Sequence, residues 1–141
     1  MRLIIINVVV SLLVACSASQ PRQDDSLYRQ LGSDIGIDNI VVTALQLLHN
    51  DERISFLFED IEEANLIKQL NDQLCFLSGG PCTYEGLSME EAHAGMALTE
   101  AEFDVFVEIF IDAMKANNVP FAAQNKLLAM LAPMRPDVIH Q

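Results

Sequence analysis

The three histidines are the side chains of this sequence best suited to binding a metal ion. His93 lies in a short predicted helix among small and apolar neighbours, including Gly95 and Met96. His49 ends a long predicted helix, where the helix dipole favours a cation, and His140 lies in a tail that we expect to be frayed. A neutral imidazole can be the single protein ligand of a haem iron, although a partly buried structural histidine is more common. Both interpretations of His93 stay open on spacing alone.

Patterns typical of hydrolases, nucleotide-binding proteins and di-iron proteins are missing from the sequence. No serine–histidine–aspartate set is recognisable, and Gly79 and Gly80 lack the lysine and the serine or threonine of a phosphate-binding loop. Glu62 and Glu63 are adjacent, so they point in different directions on a helix and are expected to be solvated. A di-iron site needs two Glu-x-x-His motifs, and the single such spacing here ends at His93.

The first 25 residues have the features of an export signal followed by a tether. Residues 3–14 are apolar apart from two polar positions and follow Arg2, and this run is shorter than the roughly 20 residues of a membrane span. The segment LVAC at residues 13–16 resembles a bacterial lipobox, in which the cysteine becomes the acylated first residue of the mature protein. We therefore expect a signal peptide at residues 1–15 and a lipidated tether at residues 16–25, which would anchor an exported, periplasm-facing domain to a bacterial membrane. The alternative is an ordinary cleavage site that contains a cysteine.

Export changes the interpretation of the other two cysteines, because the periplasm is oxidising. Cys75 and Cys82 enclose six residues that read as a helix end and a turn, so they are candidates for a disulfide. Their spacing does not match a zinc knuckle. The alternative is two independent small residues of the core.

The charge balance is strongly acidic, with 20 acidic and 8 basic residues and a formal net charge of −12. No basic stripe is present, so nucleic acid is not an expected partner. The acidic surface is expected to keep the domain soluble and monomeric.

Apolar residues at spacings of three and four predict a series of helices and no strand. Ser33 is expected to cap the second helix, and Ser88 and Thr99 each begin a capping box. The predicted helices cover residues 26–31, 33–49, 52–56, 62–77, 88–93, 99–117 and 122–131. The fold class is therefore all-α, with one domain at residues 26–141.

The segment from residue 26 to about residue 139 resembles a group I truncated haemoglobin, a shortened globin with a two-over-two helical sandwich. Several short segments carry the resemblance together, in the family's order. They are SLYRQLG at 26–32, DERISFLF at 51–58, GGP at 79–81, YEG at 84–86, MEEAH at 89–93, LT at 98–99 with Phe103, and NVP at 118–120. The resemblance implies a haem b cofactor whose iron is bound by His93.

The resemblance also implies which side chains contact the haem. Phe58 takes the position of the family's haem-stacking phenylalanine, and leucines of the helix at residues 62–77 shape the distal side. The implied cofactor-binding residues are Phe58, Leu66, Gln69, Leu70, Leu74, Tyr84, Met89, His93 and Phe103, with His93 as the metal ligand.

The departures from the family pattern concern the first corner and the distal side. Ser33 replaces the second glycine of the first corner. Leu45 aligns with the usual distal tyrosine, and Leu66 and Leu70 align with the usual distal glutamines, so bound oxygen would have no obvious hydrogen-bond donor. Gln69 is the one amide expected nearby, either as a residue that swings in as a donor or as a surface residue.

The expected function is haem-dependent binding of a diatomic gas: oxygen, nitric oxide or carbon monoxide. An apolar distal side suits sensing or scavenging better than tight oxygen storage. A second hypothesis is nitric oxide dioxygenation or peroxidase-like turnover, which would need a reductase partner. A third is a haem-free helical lipoprotein that binds another protein through its apolar surface. Whether the chain is an enzyme stays open.

Overall fold

The computed structural model describes residues 24–141. The predicted signal peptide, the predicted lipidation site Cys16 and most of the predicted tether lie outside these residues. None of the helices in the described part of the chain is long and apolar enough to cross a membrane.

The chain forms six α-helices and two 3₁₀ helices between residues 26 and 137. The α-helices are α1 (Ser26–Gln30), α2 (Ser33–Asn50), α3 (Glu63–Leu77), α4 (Met89–His93), α5 (Glu100–Ala116) and α6 (Phe121–Leu131), and the 3₁₀ helices are Ser55–Phe58 and Ala132–Asp137. No strand occurs in residues 24–141, so the predicted all-α class is confirmed.

Helix α2 is the centre of the packing. Six of its apolar residues recur at spacings of three and four between Ile37 and Leu48 and are buried, because this spacing places them on one side of the helix. Ile35 and Leu47 lie off this stripe and are exposed. Both α3 and α5 pack against α2, and α1 packs mainly against α6 and α2. The buried residues of α5 and α6, among them Ala113, Met114 and Leu127, complete the core.

Two capping boxes begin helices α4 and α5, as the sequence predicts. The Ser88 side chain accepts from the Glu91 amide while the Glu91 carboxylate accepts from the Ser88 amide, and Thr99 and Glu102 repeat the arrangement. Each box satisfies amide groups that the first turn of a helix leaves unpaired. Local sequence therefore fixes where the two helices begin.

The corner between α1 and α2 differs from the prediction. Gly32, with φ of +91°, is the N-cap of α2, and Ser33 is the first helical residue, so the expectation that the Ser33 side chain caps this helix is wrong. Ser33 itself has φ of +58°, in the left-handed region that costs a residue with a Cβ atom about 1–2 kcal/mol. Gly32 and Ser33 both have positive φ at this corner. Glycine adopts such angles without steric cost, so glycine suits both positions.

Cys75 and Cys82 form a disulfide, with Cα atoms 5.9 Å apart, which confirms the predicted bond. Cys75 is buried near the end of α3, and Cys82 lies in the loop that leads to α4. The bond therefore ties the beginning of this loop to α3.

The C-terminal residues pair with the loop after α4. The Ala97 amide donates to the Gln141 carbonyl (2.9 Å), and the His140 amide donates to the Leu98 carbonyl (2.9 Å). The expectation of a frayed tail at His140 is therefore wrong, because the backbone there is held by a partner that sequence patterns do not reveal.

Candidate functional site

The side chain of His93 is held in one orientation by its own helix. Its Nδ1 atom lies 2.7 Å from the backbone carbonyl oxygen of Met89. A carbonyl oxygen only accepts hydrogen bonds, so Nδ1 carries the hydrogen, and in the neutral imidazole Nε2 then keeps its lone pair. The side chain is half-buried. Metal-binding histidines are typically held in this way by a hydrogen bond from the other ring nitrogen.

Helix α4, which carries His93, is short and loosely embedded. It has five residues and no buried one, and its main helix contacts are with the 3₁₀ helix Ala132–Asp137. A helix of this length is not stable alone in water, so its position depends on its attachments. The capping box at Ser88 and the paired C-terminal residues hold its two sides.

The predicted distal residues form an apolar surface on α3 and the segment before it. Leu66, Leu70 and Phe58 are half-buried and pack against the core with their inner sides. Leu45 of α2 is 1% exposed and lies within the core itself. The predicted distal face of α3 is therefore apolar at Leu66 and Leu70.

Other predicted site residues have more varied surroundings. Leu74 is buried in the core. The half-buried Phe103 ring lies under the Arg135 guanidinium, 5.3 Å from its centroid, in a cation–π contact. The Tyr84 hydroxyl donates to the Leu87 carbonyl (2.8 Å), and burial raises the pKa of Tyr84. Tyr84 thus braces the loop before α4 as a neutral phenol.

The Gln69 side chain lies on the loop side of α3. Its Oε1 atom sits so close to Gly86 that a Cβ atom there would be 2.4 Å away. Gln69 also lines a polar surface depression of about 550 Å³, together with Lys68, Asp72 and loop residues 81–83 and 85–86. In this structure the amide packs against the loop rather than forming part of the Leu66–Leu70 surface.

Gln73 is the residue near the site that sequence reasoning missed. It is 8% exposed, and its Nε2 atom lies 3.5 Å from the Met89 Sδ atom. It follows Leu66 and Leu70 at intervals of seven and three residues, which places it on the same helical face. This spacing could have identified it, but spacing does not distinguish a buried glutamine from a solvated one.

The residues present fit a flat, largely apolar macrocycle with one nitrogen ligand. His93 Nε2 is free to bind, and the distal face of α3 is apolar. Three large apolar side chains are exposed in segments that flank α3 and α4: Ile61, Leu87 and Met96. A ligand that covers such surface gains the free energy of burial.

A second cluster of side chains of the kinds that bind metal ions lies away from His93. The ligand atoms of Asp34, Cys75 and Cys82 lie within 4.8 Å of one another. Because both sulfur atoms belong to the disulfide, this group has no free thiolate with which to bind a metal.

Comparison with known proteins points to one family. The family described as bacterial-like globin matches residues 26–140. The group 1 truncated hemoglobin of Tetrahymena pyriformis is 30% identical over 114 residues, covering 81% of this chain and 94% of that protein. A group 1 truncated hemoglobin of Mycolicibacterium paratuberculosis is 25% identical, covering 80% and 83%.

Solved structures agree in fold. The Fe(III) form of the Tetrahymena pyriformis truncated hemoglobin superposes with a TM-score of 0.78 at 30% identity, covering 82% of this chain and 98% of that one. A 2/2 hemoglobin from a Synechococcus species, solved with covalently attached heme, superposes at 0.75 with 24% identity, covering 80% and 97%. These likenesses confirm the predicted two-over-two helical sandwich.

Three further structures of the Tetrahymena pyriformis protein carry single substitutions, one of a tyrosine and two of glutamines. The intervals between the three substituted positions are 21 and 4 residues. The same intervals separate Leu45, Leu66 and Leu70 in this chain.

Proposed function

Since this chain belongs to the bacterial-like globin family, as a group 1 truncated globin, we propose that it binds haem through His93 Nε2 and uses it to bind a diatomic gas. The observation that carries the proposal is the 2.7 Å contact between His93 Nδ1 and the Met89 carbonyl. It leaves Nε2 as the free nitrogen of a half-buried imidazole, with the lone pair that a metal requires.

The haem would supply an iron with an open position for oxygen, nitric oxide or carbon monoxide. His93 would hold it from the α4 side, and the Met89 carbonyl would raise the basicity of the imidazole by accepting from Nδ1. Phe58, Leu66 and Leu70 would cover the opposite side and keep water away from it. Tyr84, Met89 and Phe103 would lie at the edges of the haem.

The distal residues favour sensing or scavenging over tight storage of oxygen. The shared 21- and 4-residue intervals support the alignment of Leu45, Leu66 and Leu70 with a tyrosine and two glutamines of the Tetrahymena pyriformis protein. Leucine cannot donate a hydrogen bond, and Gln69 packs against Gly86 on the loop side of α3. A gas that depends on a distal donor would therefore be released quickly.

The visible absorption spectrum of the purified protein with added haemin tests the proposed ligand. We expect a sharp Soret band in the wild-type protein and a much altered spectrum in His93→Gly. Added imidazole should restore the wild-type spectrum of His93→Gly by occupying the vacated position, because the defect is the missing ligand and not the fold.

The other two histidines provide matched controls. His49→Ala and His140→Ala should keep the wild-type spectrum. A spectrum that changes in His49→Ala and not in His93→Gly would show that His49 binds the iron, and this would contradict our proposal for His93. A Soret band no sharper than that of free haemin in the wild-type protein would overturn haem binding altogether.

We also propose that Cys16 is acylated and anchors the domain on the periplasmic side of a bacterial membrane. The apolar run at residues 3–14 and the position of Cys16 two residues after its end support this location. Cells fed labelled palmitate should incorporate it into the wild-type chain and not into Cys16→Ser. Equal incorporation by Cys16→Ser would contradict the anchor.

A further inference from the structure

A single hydrogen bond joins α3 to the helix that carries His93. The Gln73 Nε2 atom, on α3, lies 3.5 Å from the Sδ atom of Met89, the first residue of α4. Within residues 24–141, no other hydrogen bond connects the two helices. The contact therefore ties the beginning of α4 directly to α3.

The burial of Gln73 is costly unless the amide has a role. The side chain is 8% exposed, in a helix whose neighbouring core positions are leucine and cysteine. A buried amide loses its hydration, and a thioether sulfur is only a weak acceptor in return. A leucine at position 73 would fill similar space without this cost.

Met89 connects this bond to the histidine. Its sulfur accepts from Gln73, and its carbonyl oxygen lies 2.7 Å from His93 Nδ1. Because α4 has no buried residue, its position depends on its attachments, and the bond to Gln73 adds to the capping box at Ser88 and the paired C-terminal residues. Fixing the Met89 side chain against α3 therefore restricts its carbonyl, and this carbonyl determines which ring nitrogen of His93 carries the hydrogen.

We propose that Gln73 is a positioning residue for His93: its amide holds Met89, so that the Met89 carbonyl keeps the hydrogen on Nδ1 and Nε2 free to bind a metal. The inference rests on the proposed function, because a free Nε2 matters only if His93 binds the haem iron. Its structural content, the dependence of the His93 tautomer on Gln73, can be tested without haem.

The first experiment is ¹⁵N NMR of the His93 imidazole in the full chain without added haem. The wild-type protein should show the Nδ1–H tautomer, and Gln73→Leu and Met89→Leu should shift the ring toward a mixture with Nε2–H. Gln124 offers a matched control, because it is 6% exposed and donates to the Val119 carbonyl (2.8 Å), away from α4. Gln124→Leu should leave the His93 tautomer unchanged.

The second experiment uses the protein loaded with haem. In Gln73→Leu the iron–histidine stretching frequency in the resonance Raman spectrum should fall, because a weaker Nδ1 hydrogen bond makes the imidazole a weaker ligand. The rate of haem transfer to an acceptor globin should rise by up to about 10-fold, the low end of the effect of outer-shell partners. The double variant Gln73→Leu/Met89→Leu should be no more affected than the more affected single variant, since both remove one connection.

A wild-type tautomer and stretching frequency in Gln73→Leu, or equal shifts in Gln124→Leu, would overturn the proposal. Gln73→Met is the second variant, in case Gln73→Leu fails to fold. If imidazole rescues His93→Gly but Gln73→Leu has no effect, the positioning role fails and haem binding by His93 stands. If the tautomer shifts but haem does not bind, the proposed function fails and the role of Gln73 stands.

Discussion

The Oε1 atom of Gln69 lies against the backbone of Gly86, at a position that leaves no room for a Cβ atom on that glycine. The amide expected as a possible distal donor is therefore packed against the loop before α4. Gln69 and Leu70 are consecutive residues of α3, and consecutive side chains of a helix point about 100° apart. Gln69 can therefore face the loop while Leu70 faces the surface that it shares with Leu66. In this orientation Gln69 presents no hydrogen-bond donor on the surface formed by Leu66 and Leu70.

Leu66→Gln is expected to slow oxygen release. A hydrogen bond to a partly charged ligand is worth about 1.5–3 kcal/mol, which corresponds to about 10- to 100-fold in rate. Carbon monoxide release should change much less, because that ligand carries little charge. Flash photolysis and stopped-flow mixing measure both rates.

The control for this substitution is Leu47→Gln, at an exposed position of α2. It should leave both rates as in the wild-type protein. Oxygen release from the wild-type protein that is already as slow as from Leu66→Gln would contradict an apolar distal side.

Ser33→Gly is expected to stabilise the protein by about 0.5–1 kcal/mol. Glycine removes the left-handed strain at φ of +58° but adds conformational freedom to the unfolded chain, and the first effect is the larger. Thermal unfolding followed by circular dichroism measures the change. Asn39→Gly, at an exposed position inside α2, should be destabilising, and a loss of stability in Ser33→Gly would show that the corner is not strained.

Removal of the disulfide by Cys75→Ala/Cys82→Ala is expected to lower the free energy of unfolding by about 2–3 kcal/mol. The bond closes a short loop and restricts the unfolded chain, which accounts for most of this value in the chain-entropy model. Urea denaturation measures it. Reduction of the wild-type protein by a dithiol should reproduce most of the loss, and the same reductant should leave the double variant unchanged.

Acid is expected to loosen α4 through Glu91. Hydrogen bonds from the Ser88 side chain and backbone hold the pKa of Glu91 below its ordinary value of 4.5. A carboxylate with a depressed folded pKa stabilises the fold above its unfolded pKa, and this contribution is lost as the pH falls below 4.5 through the lower folded value. Haem loss should therefore accelerate with acid more steeply in the wild-type protein than in Glu91→Gln.

Glu102→Gln is the matched variant, because it weakens the corresponding box of α5, where the pKa of Glu102 is also lowered. It should change overall stability and keep the wild-type steepness of haem loss with acid. Absorbance at the Soret band after pH jumps measures both, and identical curves for wild type and Glu91→Gln would rule out this role of the capping box.

Most of the fold could be predicted from the sequence, because it depends on local signals. The stripe of α2 and the capping boxes at Ser88 and Thr99 each act over a few residues, and each is present in the structure. The ends of the α-helices differ from the prediction by at most one residue, as at Asn50, whose side chain donates to the Gln46 carbonyl. The short helix predicted at residues 52–56 is wrong in position, because the chain there forms the 3₁₀ helix Ser55–Phe58. The 3₁₀ helix Ala132–Asp137 was not predicted, because its two prolines read as a stop and not as a tighter helix.

The types of residue at the site could be predicted from the sequence, whereas the hydrogen bonds and packing contacts between them could not. The His93 ligand role came from resemblance, since spacing alone left a structural histidine as the more common alternative. The hydrogen bond from Gln73 to Met89 joins residues 16 apart in sequence, and no local pattern encodes it. The same holds for Gln69 and for the pairing of the C-terminal residues, which depend on tertiary contacts.

The two backbone bonds between the C-terminal residues and the loop after α4 join both segments into one unit of local opening. The amide hydrogens of Ala97 and His140 are then protected from solvent deuterium by the same event, and their exchange should slow together whenever α4 becomes more rigid. A spectroscopic label at the last residues of the chain would therefore report on the surroundings of His93 without touching the imidazole.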